Sequence, residues 1–368
     1  MKGLIIRMSI ESELKKEGIE VIEKLDTLQV NSIAKFVSNN LCNKFPEQNL
    51  NANELFIQLS RLNMCIAKMP PSAALAKFYY KNSTIYFSDT LKIEDIQKLA
   101  IHECIHYIQQ STDKKNRLVR LGLCDFSSSA LCGMGVNEAA VQLMASVCLD
   151  TKIDQVKYYG IDLPTSSPSY YPLQCNLVKQ LAYITGDDIL FNSTLYGNDN
   201  FKEKFISLTN SDVFYTIQKN IDSIIYLEDE LVMYSNTLAN ADGNVKTISK
   251  LSKKINKLKD KISKTFFNTQ NLTVSSYFNN YLKTLSTPKC IDNFRNKLFG
   301  YKNLIGTNDK YSFFSDYYLD MMKKLENKYE EIENKVSTSL MVENKNIFAI
   351  LFKKLRLLTS KNYVTNKE

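Results

Sequence analysis

The chain has little of the two residues that interrupt helices most strongly, and it has no tryptophan. Its 368 residues include 11 glycines and 7 prolines, and they are rich in leucine, isoleucine, lysine, asparagine and serine. Because glycine and proline are the least favourable residues inside a helix, their scarcity favours a mainly helical protein. The length is enough for one large domain or for two domains of ordinary size.

Long hydrophobic runs and paired cysteines are also missing. No window approaches the roughly 18 uninterrupted apolar residues of a membrane-spanning helix, and the apolar run within residues 1–8 is too short for a secretion signal. The eight cysteines lie far apart and form no C-x-x-C pair, which is typical of a reducing compartment. We therefore expect a cytoplasmic protein without a transmembrane segment, unless it is exported by a route that leaves no such signal.

The net charge of +8 is not concentrated in one basic surface. The excess comes mostly from lysines spread among asparagines and glutamates, without the basic clusters and interleaved aromatic residues of a nucleic-acid-binding face. We therefore expect no nucleic-acid partner.

Histidine is scarce, and its placement is the strongest signal in the sequence. The only two histidines, His102 and His106, enclose Glu103 in an H-E-x-x-H pattern. On a helix, residues four apart share a face, so both imidazoles can bind one metal ion with Glu103 beside them. The neighbouring residues are apolar nearly all round, which predicts a buried helix from about Leu91 to Gln110. Inside such a helix three ionisable groups need a partner or a ligand.

A second helix, predicted over residues 136–150, carries the candidate third ligand. It is apolar except for one stripe of polar residues spaced four apart, namely Glu138, Gln142 and Ser146. Glu138 is the only glutamate between Glu103 and Glu203, so we favour it as the carboxylate ligand. The alternative is an acid that is merely stabilised by the dipole in the first turn of its helix. The competing ligands are three aspartates, Asp113, Asp125 and Asp150.

The rest of the chain predicts an α+β protein that is mainly α-helical. Helix-period apolar residues occupy residues 10–42, 52–68, 173–185, 311–338 and 343–358. Residues 76–80 and 84–88 are typical of a β-hairpin around Lys81-Asn82-Ser83. Irregular connections are predicted for residues 117–135 and 151–172.

The C-terminal half predicts a long helical hairpin. Heptad-like apolar residues recur over 212–238 and 248–262 on either side of a turn at Asp242-Gly243-Asn244. We expect an antiparallel, coiled-coil-like hairpin over residues 212–266, which could bind a protein partner. The predicted division is a first domain of residues 1–205 that contains the metal site and a helical second domain of residues 206–368.

Two imidazoles and one carboxylate are a ligand set of catalytic zinc sites, in which the fourth position is left for water. Bound Zn²⁺ lowers the pKa of that water towards about 7, and Glu103 can take its proton and pass it to the leaving amine. If Thr84, Ile85 and Tyr86 form the edge of the sheet, they can hold an extended peptide by main-chain pairing. These residues predict zinc-dependent hydrolysis of peptide bonds.

This arrangement resembles the gluzincin branch of the zincin metallopeptidases. The resemblance rests on His102-Glu103-x-x-His106 on a helix that follows a strand, with Glu138 on a second helix 32 residues later. It covers about residues 76–150 and implies a small sheet with an edge strand above the cleft, an active-site helix and a glutamate helix. The metzincin pattern is not met, because its third histidine and its glycine at the position of Gln109 are absent.

The resemblance also implies partners around the metal ligands. In thermolysin-like members the fourth residue after the glutamate ligand is an aspartate that hydrogen-bonds the first histidine. Here that position is Gln142, which can accept the imidazole proton without adding a charge. Such members stabilise the oxyanion with a further histidine, a tyrosine or an arginine. Without a third histidine, we favour Tyr171 over the other candidates, which are Tyr170, Arg120 and Arg117.

Three functions are consistent with the sequence. The first is a zinc peptidase whose C-terminal helices select a protein substrate. The second is a protease specialised for one partner and inactive on generic peptides. The third is a non-catalytic helical interaction protein with a structural or vestigial zinc site, which a fourth protein ligand such as Cys104 or Cys132 would favour.

Overall fold

The computed structural model describes residues 10, 12–70, 74–115, 117–126, 133–241 and 245–335. Within these ranges the chain is mainly helical with three small sheets, so the predicted class, α+β and mainly α, is confirmed. The helices are α1 (12–16), α2 (Thr27–Lys44), α3 (Ala52–Leu59), α4 (Ile93–Ile108), α5 (Met134–Cys148), α6 (Pro172–Thr185), α7 (Asp187–Tyr196), α8 (Asn200–Leu208), α9 (Ser211–Ala239), α10 (Val245–Thr284), α11 (Pro288–Tyr301) and α12 (314–335). The strands are β1 (Glu20–Lys24), β2 (Asn63–Lys68), β3 (Ala76–Tyr79), β4 (Thr84–Ser88), β5 (Gln110–Thr112), β6 (Leu118–Leu121), β7 (Cys124–Asp125), β8 (Asp154–Tyr158) and β9 (Ile161–Thr165).

The described residues fall into two compact units. One contains the chain up to Tyr277 together with Asn303–Ser312, and the other contains Phe278–Lys302 and the chain from Phe313 onward. The division of function between residues 1–205 and 206–368 stays a prediction. All candidate site residues that the structure describes belong to the first unit.

The segment Asn303–Ser312 returns to the first unit by main-chain bonds. Thr307 and Asp162 exchange both of their N–H···O bonds, at 2.8 and 2.9 Å. The side chain of Gln270 accepts from the N–H of Gly306 at 2.8 Å and donates to its carbonyl at 3.0 Å. Thr307 therefore extends the small β8–β9 sheet at β9.

The main sheet has the strand order β1-β2-β4-β3, in which β2 and β4 are parallel and the other pairs are antiparallel. The prediction of helix throughout 10–42 and 52–68 was therefore wrong at β1 and β2. Residues 63–68 have helix-like spacing of apolar residues, but they form a strand because β2 is hydrogen-bonded along its length to β4. The paired strands β2, β3 and β4 contribute four residues to a cluster of buried hydrophobic side chains. Its members are Leu14, Ile19, Cys65, Ala67, Tyr79 and Tyr86.

The predicted β-hairpin of β3 and β4 is confirmed, but its place in the sheet differs from our expectation. β4 lies between β2 and β3, so both of its main-chain edges are already paired. Thr84, Ile85 and Tyr86 are buried in the middle of the sheet and cannot pair with an extended peptide. The free edge on this side of the sheet belongs to β3.

Two segments that we predicted to be irregular contain short strands. In the first segment, β6 and β7 form a three-stranded antiparallel sheet with β5, which lies before that segment; in the second, β8 and β9 form a hairpin. Tyr159 and Gly160, at φ of 51° and 80°, make the two-residue connection that suits a tight hairpin. Only every second residue of β9 is fully buried, and three prolines in and after this segment obscured that alternation.

The two helices of the predicted hairpin, α9 and α10, are present in the structure. Lys254 of α10 forms an ion pair with Glu230 of α9 at 3.5 Å and contacts the ring of Tyr234, as expected for antiparallel arms. The predicted turn at residues 242–244, the helix at 343–358 and the tail after residue 360 lie outside the described residues. Within the described part of the chain, no helix is long and apolar enough to cross a membrane.

Candidate metal centre

Helices α4 and α5 bring the three predicted ligands together. The Nε2 atoms of His102 and His106, one turn apart on α4, lie 3.0 Å from each other. The Oε2 atom of Glu138, on α5, lies 3.3 Å from Nε2 of His102 and 3.4 Å from Nε2 of His106. Among the described residues, these three form the group whose ligand atoms are close enough to hold a metal ion.

The triangle of ligand atoms has the size that a tetrahedral zinc ion requires. Zinc bonds to nitrogen and oxygen of 2.0–2.1 Å give a separation of about 3.3 Å between any two ligand atoms of a tetrahedron. The three separations measured here are 3.0, 3.3 and 3.4 Å. The side chains are thus arranged as three corners of a tetrahedron without further movement.

Each imidazole also has a glutamine amide at its other nitrogen. The Nδ1 atom of His102 lies 3.0 Å from Oε1 of Gln142, the partner that the resemblance implied. The Nδ1 atom of His106 lies 2.7 Å from the side-chain amide of Gln109, which the sequence analysis did not single out. Gln109 is three residues after His106, which places both side chains on the same face of the helix. This spacing could have predicted their contact from the sequence.

The surroundings of Gln109 fit a bound metal. An imidazole that binds metal through Nε2 carries its proton on Nδ1, so it needs an acceptor there. The Oε1 atom of Gln109 is buried and has no hydrogen-bond partner among the described residues. Rotating the side-chain amide of Gln109 by 180° exchanges its oxygen and nitrogen and places Oε1 beside Nδ1 of His106. The unpartnered oxygen is therefore the acceptor that a metal-bound His106 requires.

The charges within the group favour an ionised carboxylate. Burial alone would raise the pKa of Glu138, but the charge of His106 and the hydrogen bond from His102 outweigh burial and lower it. Burial opposes a charge on His102, yet its bond to Glu138 and the nearby charge of Glu103 raise the pKa of the imidazole. Glu138 is thus present as an anion, the state in which a carboxylate binds metal.

Glu103 lies on α4 between the two histidines and is buried. Its Oε2 atom accepts a hydrogen bond of 2.6 Å from the main-chain N–H of Phe78 in β3. Glu103 therefore bridges the helix of the metal ligands and the edge strand of the main sheet. We had no sequence signal for this contact, because it depends on how β3 lies over α4.

Tyr171 is brought to the metal ligands by an unusual backbone. It is the N-cap of α6 and has left-handed φ and ψ of 51° and 42°, a conformation that few residues other than glycine adopt. Its ring lies nearly parallel to that of His102, at 19° with centroids 6.4 Å apart. The charge of the nearby Glu138, together with burial, raises the pKa of Tyr171 well above its usual value. Tyr171 is therefore a neutral hydrogen-bond donor.

The other candidates for the oxyanion role lie in different environments. Arg120 donates to the carbonyl oxygens of Gly122 and Asn198 and pairs with Asp199. Arg117 pairs with Asp113 on the surface. Tyr170 lines a cavity beside His102.

The competing ligands are not in the metal-ligand group. Asp113 is occupied by Arg117, and Asp150 pairs with Lys44 at 2.5 Å. Asp125 is an exposed residue of β7. Cys104 is also outside the group, and burial raises the pKa of its thiol far above the normal range. Cys132 lies outside the described residues.

Comparison of the chain with models of protein families, with curated proteins and with solved structures returns no match.

Proposed function

We propose that this chain is a zinc-dependent peptidase of the gluzincin type. The observation that carries the proposal is the triangle of His102, His106 and Glu138, with Glu103 and Tyr171 beside it. The two histidines and one glutamate are a ligand set of catalytic zinc, and the neighbouring acid and phenol are the groups that peptide hydrolysis needs.

Each residue has a distinct task in the proposed reaction. His102, His106 and Glu138 hold the ion, and Gln142 and Gln109 orient the two imidazoles. When bound, Zn²⁺ acts as a Lewis acid and makes water acidic enough to supply a nucleophile near neutral pH. The Glu103 carboxylate accepts the proton of the attacking water and delivers it to the leaving amine. The neutral hydroxyl of Tyr171 donates a hydrogen bond to the negative charge that develops on the carbonyl oxygen.

An extended peptide has a place to bind at the free edge of β3. An edge strand presents unpaired main-chain groups that can pair with another chain. The N–H of Phe78 points away from β4 and towards Glu103, so this edge faces α4, the helix that carries the two histidines. The substrate strand therefore pairs with the outward main-chain groups of Ala76–Tyr79 other than the N–H of Phe78, which holds Glu103, in place of the residues of β4 that we had expected.

A cavity beside His102 can receive a side chain of the substrate. It has a volume of about 410 Å³, within the range of small-molecule and side-chain pockets. The cavity runs between the first half of α4 and the second half of α5. Its apolar wall is mostly leucine, formed by Leu75, Leu91, Leu99 and Leu149. This lining favours an apolar side chain next to the cleaved bond.

The first test is the metal content of the purified chain, measured by elemental mass spectrometry. We expect one zinc per chain in the wild type, retained in Glu103→Gln and lost in His106→Ala and Glu138→Ala. Asp113→Asn is the control, because it removes an acid near the end of the same helix but outside the site. A wild-type chain that takes up no metal would contradict the proposal.

The second test is hydrolysis of a mixed peptide library by the zinc-loaded chain, with cleavage products identified by mass spectrometry. We expect cleavage by the wild type and none by Glu103→Gln. If generic peptides are not cut, whole proteins captured on Glu103→Gln distinguish a protease with one substrate from an inactive protein. Zinc binding without cleavage of either kind of substrate would instead support a non-catalytic interaction protein.

A further inference from the structure

Asp222, in the middle of α9, binds the start of the helix that carries Glu138. Its Oδ2 atom accepts from the N–H of Gly133 at 2.8 Å, and its Oδ1 atom accepts from the N–H of Gly135 at 2.7 Å. Gly133 is the N-cap of α5 and has no side chain to cap the helix itself. The first N–H groups of a helix have no acceptor within it, so Asp222 supplies the missing cap from a distant part of the chain.

The backbones of α5 and α9 are in direct contact at this point. A Cβ atom on Gly135 would lie 3.0 Å from the carbonyl oxygen of Ile221 and 3.1 Å from its carbonyl carbon. At Gly133, which has a left-handed φ of 96°, a Cβ atom would overlap the side chain of Gln218. Because these two positions are glycines, the two helix backbones can approach closely. This close contact fixes the position of α5 along its axis, and its rotation about that axis, relative to α9.

In the part of the chain that the structure describes, the carboxylate of Asp222 has no cation to balance it. It is buried, at 8% exposure, and among the described residues no lysine, arginine or histidine forms an ion pair with it. Burial raises the pKa of this carboxyl, while its bonds to Gly133 and Gly135 oppose that shift. The positive end of the α5 dipole is the counter-charge available to it.

We infer that Asp222 is a positioning residue, which sets the register of α5 so that Glu138 reaches the two histidines of α4. Glu138 follows Gly135 by three residues, so it lies less than one turn from the point that Asp222 holds. An error of about 1 Å in the placement of a functional group can reduce a rate by about a hundredfold. The inference rests on the proposed metal site, and it assigns to α9 a part in building that site.

The test compares Asp222→Asn with the wild type in the full-length chain. Asparagine keeps one acceptor oxygen, but its NH₂ group faces one of the two N–H donors, so one bond is lost. We expect zinc affinity, measured by competition with a chelator, to fall at least tenfold. With Co²⁺ in place of zinc, the visible absorption spectrum should move towards that of Glu138→Ala. Gly135→Ala, which displaces α5 but keeps Asp222, should change both readouts in the same direction.

Two controls separate positioning from simple loss of stability. Asp212→Asn removes an exposed acid from the first turn of α9, and it should leave affinity and spectrum unchanged. Ile19→Val weakens the core cluster of the main sheet without touching α5, so it should lower the melting temperature and leave the cobalt spectrum as in the wild type. The inference is overturned if Asp222→Asn and Gly135→Ala bind metal with wild-type affinity and spectrum. A wild type that binds neither Zn²⁺ nor Co²⁺ would overturn the metal site itself.

Discussion

The side-chain amide nitrogen of Gln109 lies 2.7 Å from Nδ1 of His106, and the amide oxygen of Gln142 lies 3.0 Å from Nδ1 of His102. Both histidines of the candidate metal centre are therefore oriented by neutral amides. A carboxylate in these positions would make the imidazoles more basic and would add negative charge to the site. With amides, Glu138 is the single negative ligand, so a bound zinc ion keeps more of its positive charge.

Replacing Gln109 by leucine should weaken metal binding without preventing folding. Loss of an outer partner of a metal ligand costs about tenfold to a hundredfold in affinity, and Gln142→Leu should have a similar effect. The measurement is zinc affinity by chelator competition. Gln97→Leu is the control, because Gln97 is a half-buried residue of the same helix that donates to Ser32 of α2 and lies outside the metal-ligand group. Wild-type affinity in Gln109→Leu would show that His106 does not depend on this amide.

Tyr171→Phe should impair catalysis and spare the metal. The phenylalanine ring keeps the stacking on His102, but the donor to the developing oxyanion is lost, which typically lowers kcat by about 10²–10³. Metal content and KM should change little. Tyr183→Phe, on the same helix but outside the cavity lining, is the matched control. An unchanged kcat in Tyr171→Phe would remove Tyr171 from the mechanism.

Gly122→Ala and Gly160→Ala should differ in their effects. Both positions have positive φ, of 53° and 80°, so each alanine costs about 1–2 kcal/mol of backbone strain. A Cβ atom at Gly122 would also overlap the side chains of Gln109 and Asn137, whereas nothing lies within 4 Å of one at Gly160. We expect Gly122→Ala to lower both the free energy of unfolding and zinc affinity, and Gly160→Ala to lower only the former. Equal zinc affinities would contradict this account.

Glu228 should make the stability of the chain depend on pH. Burial raises its pKa from 4.5 to about 7, despite hydrogen bonds with Gln174 and Tyr159 that oppose the shift, and the charge of Asp229 adds to the rise. The folded chain therefore holds this proton more tightly than the unfolded chain does. The stabilisation is complete below pH 4.5 and is lost as the pH rises to about 7, by up to about 3 kcal/mol.

Urea unfolding of metal-free protein at pH 5 and pH 8 measures this effect. Glu228→Gln should reduce the loss of stability between the two pH values and should be the more stable form at pH 8. Glu230→Gln, two residues along the same helix, removes the surface ion pair with Lys254 but should lose as much free energy between the two pH values as the wild type does. The prediction fails if Glu228→Gln and the wild type lose the same free energy between pH 5 and pH 8.

The sequence was most informative about helices whose apolar and polar residues repeat with helical spacing within a single segment. The apolar surroundings of His102 and His106 predicted the buried helix, and the polar stripe of the next helix led to Glu138. Those side chains lie within 3.4 Å of one another. Each prediction used only local periodicity and the scarcity of other candidates, which a single sequence does contain.

Features that depend on contacts between residues distant in sequence could not be predicted from local patterns. β2 has residues with helical spacing, yet it is a strand because β4 pairs with it. That same pairing places Thr84, Ile85 and Tyr86 inside the sheet and leaves β3 at the edge. Asp222 is 84 residues beyond Glu138, and its role depends on two glycines and a close helix approach that no local pattern records.

The bonds between Asp162 and Thr307 have a consequence for how the protein is made. The unit that contains the candidate metal centre is discontinuous in sequence, because Phe278–Lys302 belongs to the other unit and Asn303–Ser312 follows it in the chain. During synthesis, β9 therefore lacks this neighbour until the ribosome has released Thr307, long after every metal ligand has emerged. A shortened chain designed to isolate the metal site must extend beyond α11 to retain this closing segment.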